Sequence, residues 1–250
     1  ARIGGYDVKT NLSKAKEISG LVPQDLALYP TLSARTNLSF FGRMYGLRGQ
    51  PLKERVEDVL HIVSLVERAD EPIEKYSGGM KRRVNIAAGL VHQPRLLFLD
   101  EPTVGVDPQS RERIFSMLDD LSAGGCSILL TTHHLEEAEN QCDRVVIVDH
   151  GKVVANGTID DLIERSVGPS RWVRLRVDPP LRSPLTLDDE TSVTSFGQAG
   201  DEVVSTRIDD VSLHLPKLIQ WVREQGYSIA DVEVHAPSLH HVFLHLTGHH

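Results

Sequence analysis

The amino-acid sequence points to an α/β fold with a mostly parallel sheet and a helical subdomain, followed by a small α+β appendage. Two short apolar runs, residues 96–99 and 127–130, alternate with helical patterns, as parallel strands covered on both faces do. Between residues 36 and 90 the apolar spacing is helical. After Arg165 the composition changes and strand-like alternation returns.

Residues 17–24, Glu-Ile-Ser-Gly-Leu-Val-Pro-Gln, read as a short strand running into a loop. In the helical stretch, Val56, Val59, Leu60 and Val63 fall at the i, i+3, i+4, i+7 spacing of one buried face. A helix between the two apolar runs has Asp107 as its N-cap, Pro108 at its first position and an apolar stripe of Ile114, Met117, Leu118 and Leu121. Residues 145–148 and 152–155 flank Asp149-His150-Gly151, a hairpin signal. Residues 172–177 alternate apolar with basic side chains, as a half-buried strand would, and 178–202 read as loop. A strand at 203–208, a helix at 216–225 and a strand at 229–235 follow. The expected domains are 1–167, with a helical subdomain over about 33–90, and an accessory 168–250.

The 250 residues are 40% hydrophobic and 25% charged, an ordinary globular balance. A net charge of −8 gives no basic field for a nucleic-acid partner. The run Lys81-Arg82-Arg83 reads as a solvated helix face. No apolar run reaches the roughly 18–20 residues needed to cross a bilayer, and residues 1–10 do not resemble a secretory signal. Cys126 and Cys142 make no disulfide framework or metal pattern, which suits a reducing cytosol. Any membrane connection then comes through a partner.

Four segments carry chemistry. In Leu96-Leu97-Phe98-Leu99-Asp100-Glu101-Pro102, two carboxylates emerge at the C-terminal end of a buried strand, the edge where open α/β sheets bind ligands. One carboxylate there can hold Mg²⁺, and the other can orient or deprotonate a water for phosphoryl transfer. A strand end that simply turns polar is the alternative. Tyr76-Ser77-Gly78-Gly79-Met80-Lys81-Arg82 opens an apolar-periodic helix, whose N-terminus suits phosphate oxygens. The plainer reading is a serine cap with a glycine turn. In Thr131-Thr132-His133-His134, His133 at a strand edge can bond a terminal phosphate, although a lone histidine there is more often structural. Gln24, ending the first strand, offers an amide to a metal or its water, a weak signal alone.

In order and spacing, the four together resemble the ATPase domain of ABC transporters, a P-loop NTPase-like fold, over roughly residues 1–165. Val22-Pro23-Gln24 is similar to the family's Q-loop, and Tyr76 to Met80 to its signature. Leu96 to Glu101 looks like the Walker B strand, Gly105-Val106-Asp107-Pro108 like the D-loop, and His133 like the switch histidine. Tyr-Ser-Gly-Gly-Met-Lys-Arg-Arg and Thr-Thr-His-His-Leu-Glu-Glu-Ala-Glu are similar to bacterial drug-resistance exporters of the daunorubicin-resistance type. The ending from Ser238 to Gly248 resembles the C-terminal extension those ATPases often carry.

The resemblance implies a cytoplasmic ATPase, peripheral on the inner face of the membrane, with ATP and Mg²⁺ as cofactors and a transmembrane permease as partner. Two copies would pack head to tail around two ATPs. Asp100 and Gln24 would hold Mg²⁺, Glu101 would polarise the attacking water and His133 would contact the γ-phosphate. Ser77, Gly78 and Gly79 would contact the partner's nucleotide, and Asp107 would communicate across the dimer. Gln24 and residues 33–90 would form the coupling surface.

The family also carries Gly-x-x-x-x-Gly-Lys-Ser/Thr upstream, and no such string occurs here. Bonds to charged phosphates contribute about 1.5–3 kcal/mol each, against about 4–8 kcal/mol for a whole millimolar-to-micromolar ligand. The chain is therefore expected to be an N-terminally incomplete form that does not bind ATP normally alone. A natural protein lending only its signature surface is the other possibility. Two rival functions stay open: a soluble ABC ATPase of DNA repair or translation, and a non-catalytic regulatory or dimerisation module. The twelve histidines form no ligand-spaced set, which disfavours a metal hydrolase, and His249-His250 reads as native or a tag remnant.

Overall fold

Two short paired strands, β1 (Arg2–Ile3) and β2 (Tyr6–Asp7), open the chain and lead into helix α1 (Leu12–Glu17). All of this comes from a computed structural model, which describes residues 1–168, 170–182, 198 and 200–247. Residues 183–197 of the expected loop and the His249-His250 ending lie outside them. The described chain divides into two compact units, Ala1–His133 and His134–His250.

In the first unit, β3 (Ser19–Val22) matches the expected strand. The expected helical stretch is three helices: α2 (Ala34–Met44), α3 (Gly49–Ile62) and α4 (Gly78–Leu90). The breaks have local causes. Gly46 at φ +88° and Ser64 at φ +53° turn the chain out of helix, and Ser33 caps α2 by accepting from the Thr36 N–H. Buried Asn37 fixes the incoming loop, accepting from the Tyr29 N–H at 2.7 Å and donating to the Ser33 carbonyl at 2.9 Å. Beyond α4 come β4 (Leu96–Asp100), α5 (Pro108–Ala123) and β5 (Ser127–Thr131). The three strands form a parallel sheet in the order β3-β4-β5. Asp107 caps α5, as expected, and Ile114, Met117 and Leu118 are buried with Leu121 packed beside them. The core joins Val22, Leu38, Val56, Leu60, Ile86, Leu97, Leu99 and Ile114.

Helix α4 corrects one expectation. Arg82 and Arg83 do not form a solvated face; both are buried. A guanidinium has five donors and can satisfy carbonyls that a loop leaves orphaned. Arg83 donates to the Val63 carbonyl at 2.5 Å and Arg82 to the Pro23 carbonyl at 3.1 Å. Burial pushes both pKa values down, with Asp25 and Asp100 supporting the Arg82 charge. Helix α4 also lies very close to β3. A Cβ added to Gly20 would stand 2.3 Å from the Gly89 carbonyl oxygen, so only glycine fits there.

The second unit begins with α6 (Leu135–Gln141) and the hairpin of β6 (Val145–Asp149) and β7 (Lys152–Gly157). His150 and Gly151, at φ +45° and +74°, make the turn the sequence signalled. Thr158 and Asp161 form a capping box for α7 (Ile159–Ser166). Then β8 (Arg171–Asp178), β9 (Val203–Ile208), α8 (Val211–Glu224), β10 (Ser228–His235) and α9 (Leu239–Thr247) complete the chain. The antiparallel sheet runs β10-β8-β9, and Val173, Leu175 and Val177 pack with Leu218 and Val222 of α8. Helix α8 starts before the expected Pro216, because Asp210 accepts from the Leu213 N–H and sets the N-cap there. Leu239 and Val242 of α9 share a separate cluster with Ala138, Ile147 and Leu162. Among the described residues, no helix is long and apolar enough to cross a membrane.

Candidate active site

Chemistry gathers at the C-terminal edge of the parallel sheet. Parallel pairing sets Asp100, the last residue of β4, against Thr131, the last of β5. The Thr131 hydroxyl donates to Asp100 Oδ1 at 2.6 Å and accepts from the Glu101 N–H at 3.1 Å. The chain then turns sharply, and Glu101 has φ +46°, a left-handed conformation that costs a side-chain-bearing residue energy. Its carboxylate is held from two sides. Gln24 Nε2, on the loop after β3, donates to Oε2 at 2.9 Å, and His133 Nδ1, beyond β5, lies 3.0 Å from Oε1. A carboxylate only accepts, so this contact is a hydrogen bond in the Nδ1–H tautomer of the ring. The Glu101 side chain is 25% exposed and that of His133 60%, so water and a solute reach both.

The structure thus brings four expected residues together: Gln24, Asp100, Glu101 and His133. The other four gather where α4 and α5 begin. Ser77 accepts from the Met80 N–H at 3.3 Å, which is the capping role its position offers. A Cβ on Gly78 would have the Gly105 carbonyl oxygen 3.7 Å away, whereas one on Gly79 would meet Ser110 Oγ at 2.3 Å. Asp107 accepts from the Ser110 N–H at 2.9 Å, and that bond lowers its pKa.

Thr131 is the residue that sequence reasoning passed over. Its signal lies in the strand register, which places a hydroxyl directly opposite Asp100. Thr131→Val removes a hydrogen bond to a charged group, worth about 1.5–3 kcal/mol, and is expected to lower the melting temperature by several degrees and to slow turnover as Asp100 loses its setting. Rate and melting curves on the same preparation check this.

Residues 2–104 match the family model for "ABC transporter". The chain is also 40% identical over 253 residues to the linearmycin resistance ATP-binding protein of Bacillus subtilis (strain 168), spanning 98% of this chain and 79% of that protein. It belongs to the ATP-binding subunits of ABC transporters.

Another relative of this ABC ATPase is the daunorubicin resistance ATP-binding protein of Streptomyces coeruleorubidus, 36% identical over 98% of this chain and 77% of that one. A solved ATP-binding subunit of an ABC transporter aligns with TM-score 0.57 and 31% identity, over 65% of this chain and 68% of the other. ATP-binding subunits of this family bind and hydrolyse ATP to drive transport, and this chain has the α/β fold the sequence indicated. A second solved relative, 31% identical, is part of an ABC transporter complex. Among the described residues, no group of three histidine, cysteine, aspartate or glutamate side chains is placed to hold a metal by itself. The Asp100 carboxylate and the amide of Gln24, which bonds the adjacent Glu101, are instead ligand types that Mg²⁺ accepts alongside phosphate and water.

Proposed function

We propose that this chain powers an exporter of drugs or other small molecules from the inner face of the cell membrane, through a transmembrane permease and as a homodimer. The names of its drug-resistance relatives support the cargo class. One observation carries the chemistry: the Glu101 carboxylate is held between Gln24 and His133 beside Asp100. In this reading Glu101 polarises the attacking water and His133 contacts the γ-phosphate. Asp100 and Gln24 hold Mg²⁺, which neutralises charge on the phosphates when bound. Ser77, Gly78 and Gly79, at a helix N-terminus, face the nucleotide of the second ATPase domain, and Asp107 relays its state.

Gln24 and the helical subdomain 33–90 couple the site to the permease. Leu26, Tyr29, Leu32, Phe40 and Met44 are exposed there and give that surface apolar area. Residues 168–250 serve as an accessory domain, a division favoured by the separate core under the β10-β8-β9 sheet. His133→Ala is the test. Losing one hydrogen bond to a charged group, about 1.5–3 kcal/mol, corresponds to turnover slowed by about ten- to a hundredfold, with nucleotide affinity retained. Undiminished steady-state hydrolysis would remove His133 from the role.

A further inference from the structure

The loop that carries Gln24 does not stand free. The Pro23 carbonyl, immediately before it, accepts from Arg82 Nη1 at 3.1 Å and from Asn85 Nδ2 at 3.2 Å. The Ala27 N–H, on the far side, donates to Asn85 Oδ1 at 3.1 Å. Both side chains belong to α4, and both are almost fully buried, at 5% and 2% exposure. Asn85 therefore grips the loop on both sides of Gln24, using its acceptor and its donor at once. Buried polar groups in this position are expensive unless bonded, which makes the loop the natural partner and other placements costly.

Helix α4 is also the helix whose first turn is Ser77-Gly78-Gly79. A continuous α-helix transmits displacement along its axis with little bending, so its two ends move together. We infer that Arg82 and Asn85 are positioning residues that tie Gln24 to the signature helix, so that the setting of Ser77-Gly78-Gly79 determines where the Gln24 amide stands. Neither side chain touches the reacting atoms in this arrangement; both act through the loop. The inference rests on the metal role proposed for Gln24, and it adds what sets the position of that residue.

The test uses the intact protein and two readouts. The first is hydrogen exchange in the loop 23–29, which reports the grip itself. Asn85→Ala should speed exchange at the Ala27 amide, and Arg82→Lys, which still donates to the Pro23 carbonyl, should largely preserve protection. The second is the Mg²⁺ dependence of ATP hydrolysis. Asn85→Ala should raise the Mg²⁺ concentration for half-maximal turnover roughly fivefold, the worth of an uncharged hydrogen bond, with metal-free ATP binding unchanged. Gln24→Ala should do the same, and the double variant should be no worse than Gln24→Ala alone. Unchanged loop exchange in Asn85→Ala overturns the grip. A loosened loop with normal Mg²⁺ dependence, while Gln24→Ala alters that dependence, overturns the tie to the site. No Mg²⁺ effect from Gln24→Ala sinks the metal role of Gln24, and loop exchange then judges the grip alone. Should Asn85→Ala fail to fold, Asn85→Asp keeps the acceptor for Ala27 while losing the donor to Pro23, and serves in its place.

Discussion

In the complete protein, Glu101→Gln is expected to leave ATP binding intact and to slow hydrolysis by about 100- to 1000-fold, the usual loss for one transition-state group. The swap is nearly isosteric, so shape changes little. Its chemistry changes twice. An amide cannot take a proton from water or strengthen its pull as charge develops. In addition, Gln24 Nε2 and His133 Nδ1 both point at the Glu101 oxygens, and a carboxylate accepts from both. An amide offers one oxygen and one NH₂, so one of those bonds is lost or one neighbour must turn. Equilibrium nucleotide binding alongside steady-state turnover separates the two effects. Rapid hydrolysis by this variant would show that another group activates the water.

Gly20→Ala is expected to be a costly small substitution in the first unit. The new Cβ would stand 2.3 Å from the Gly89 carbonyl oxygen and 2.9 Å from Leu97 Cδ1. The first obstacle is helix backbone, which cannot rotate away, so β3 must separate from α4. Overpacking of this kind costs about 1–3 kcal/mol or more, enough to lower the melting temperature by several degrees. The same added carbon gives a graded series elsewhere. Gly79→Ala meets Ser110 Oγ at 2.3 Å, which can swing, and Ser110 Cβ at 2.4 Å, which is fixed to the α5 backbone, whereas Gly78→Ala meets nothing closer than 3.7 Å. Thermal unfolding should therefore rank Gly20→Ala and Gly79→Ala as far more damaging than Gly78→Ala. Equal melting temperatures across the three would refute the close approach of strand and helix.

Asp100 and Glu101 were legible because an apolar run ending in two carboxylates states both burial and edge in one string. His133 and Gln24 became legible through order along the chain, since topology puts strand ends on one edge. What escaped was whatever depends on partners distant in sequence. Thr131 acquires its place only when β4 and β5 are in register. Arg82 and Arg83 looked solvated because a charge run is judged locally, while the carbonyls they serve, of Pro23 and Val63, are remote in sequence. The early start of α8 was hidden because Pro216 is an attractive first residue, and the Asp210 cap outweighed it. Strands β1 and β2, two residues each, are too brief to leave any period.

The backbone of Glu101 bears on thermal robustness. Glycine or asparagine would rest more comfortably at φ +46°. Selection for thermal robustness alone would drift this position toward one of them. A glutamate there means that the fold forgoes some resilience, which is consistent with the catalytic role proposed for its carboxylate.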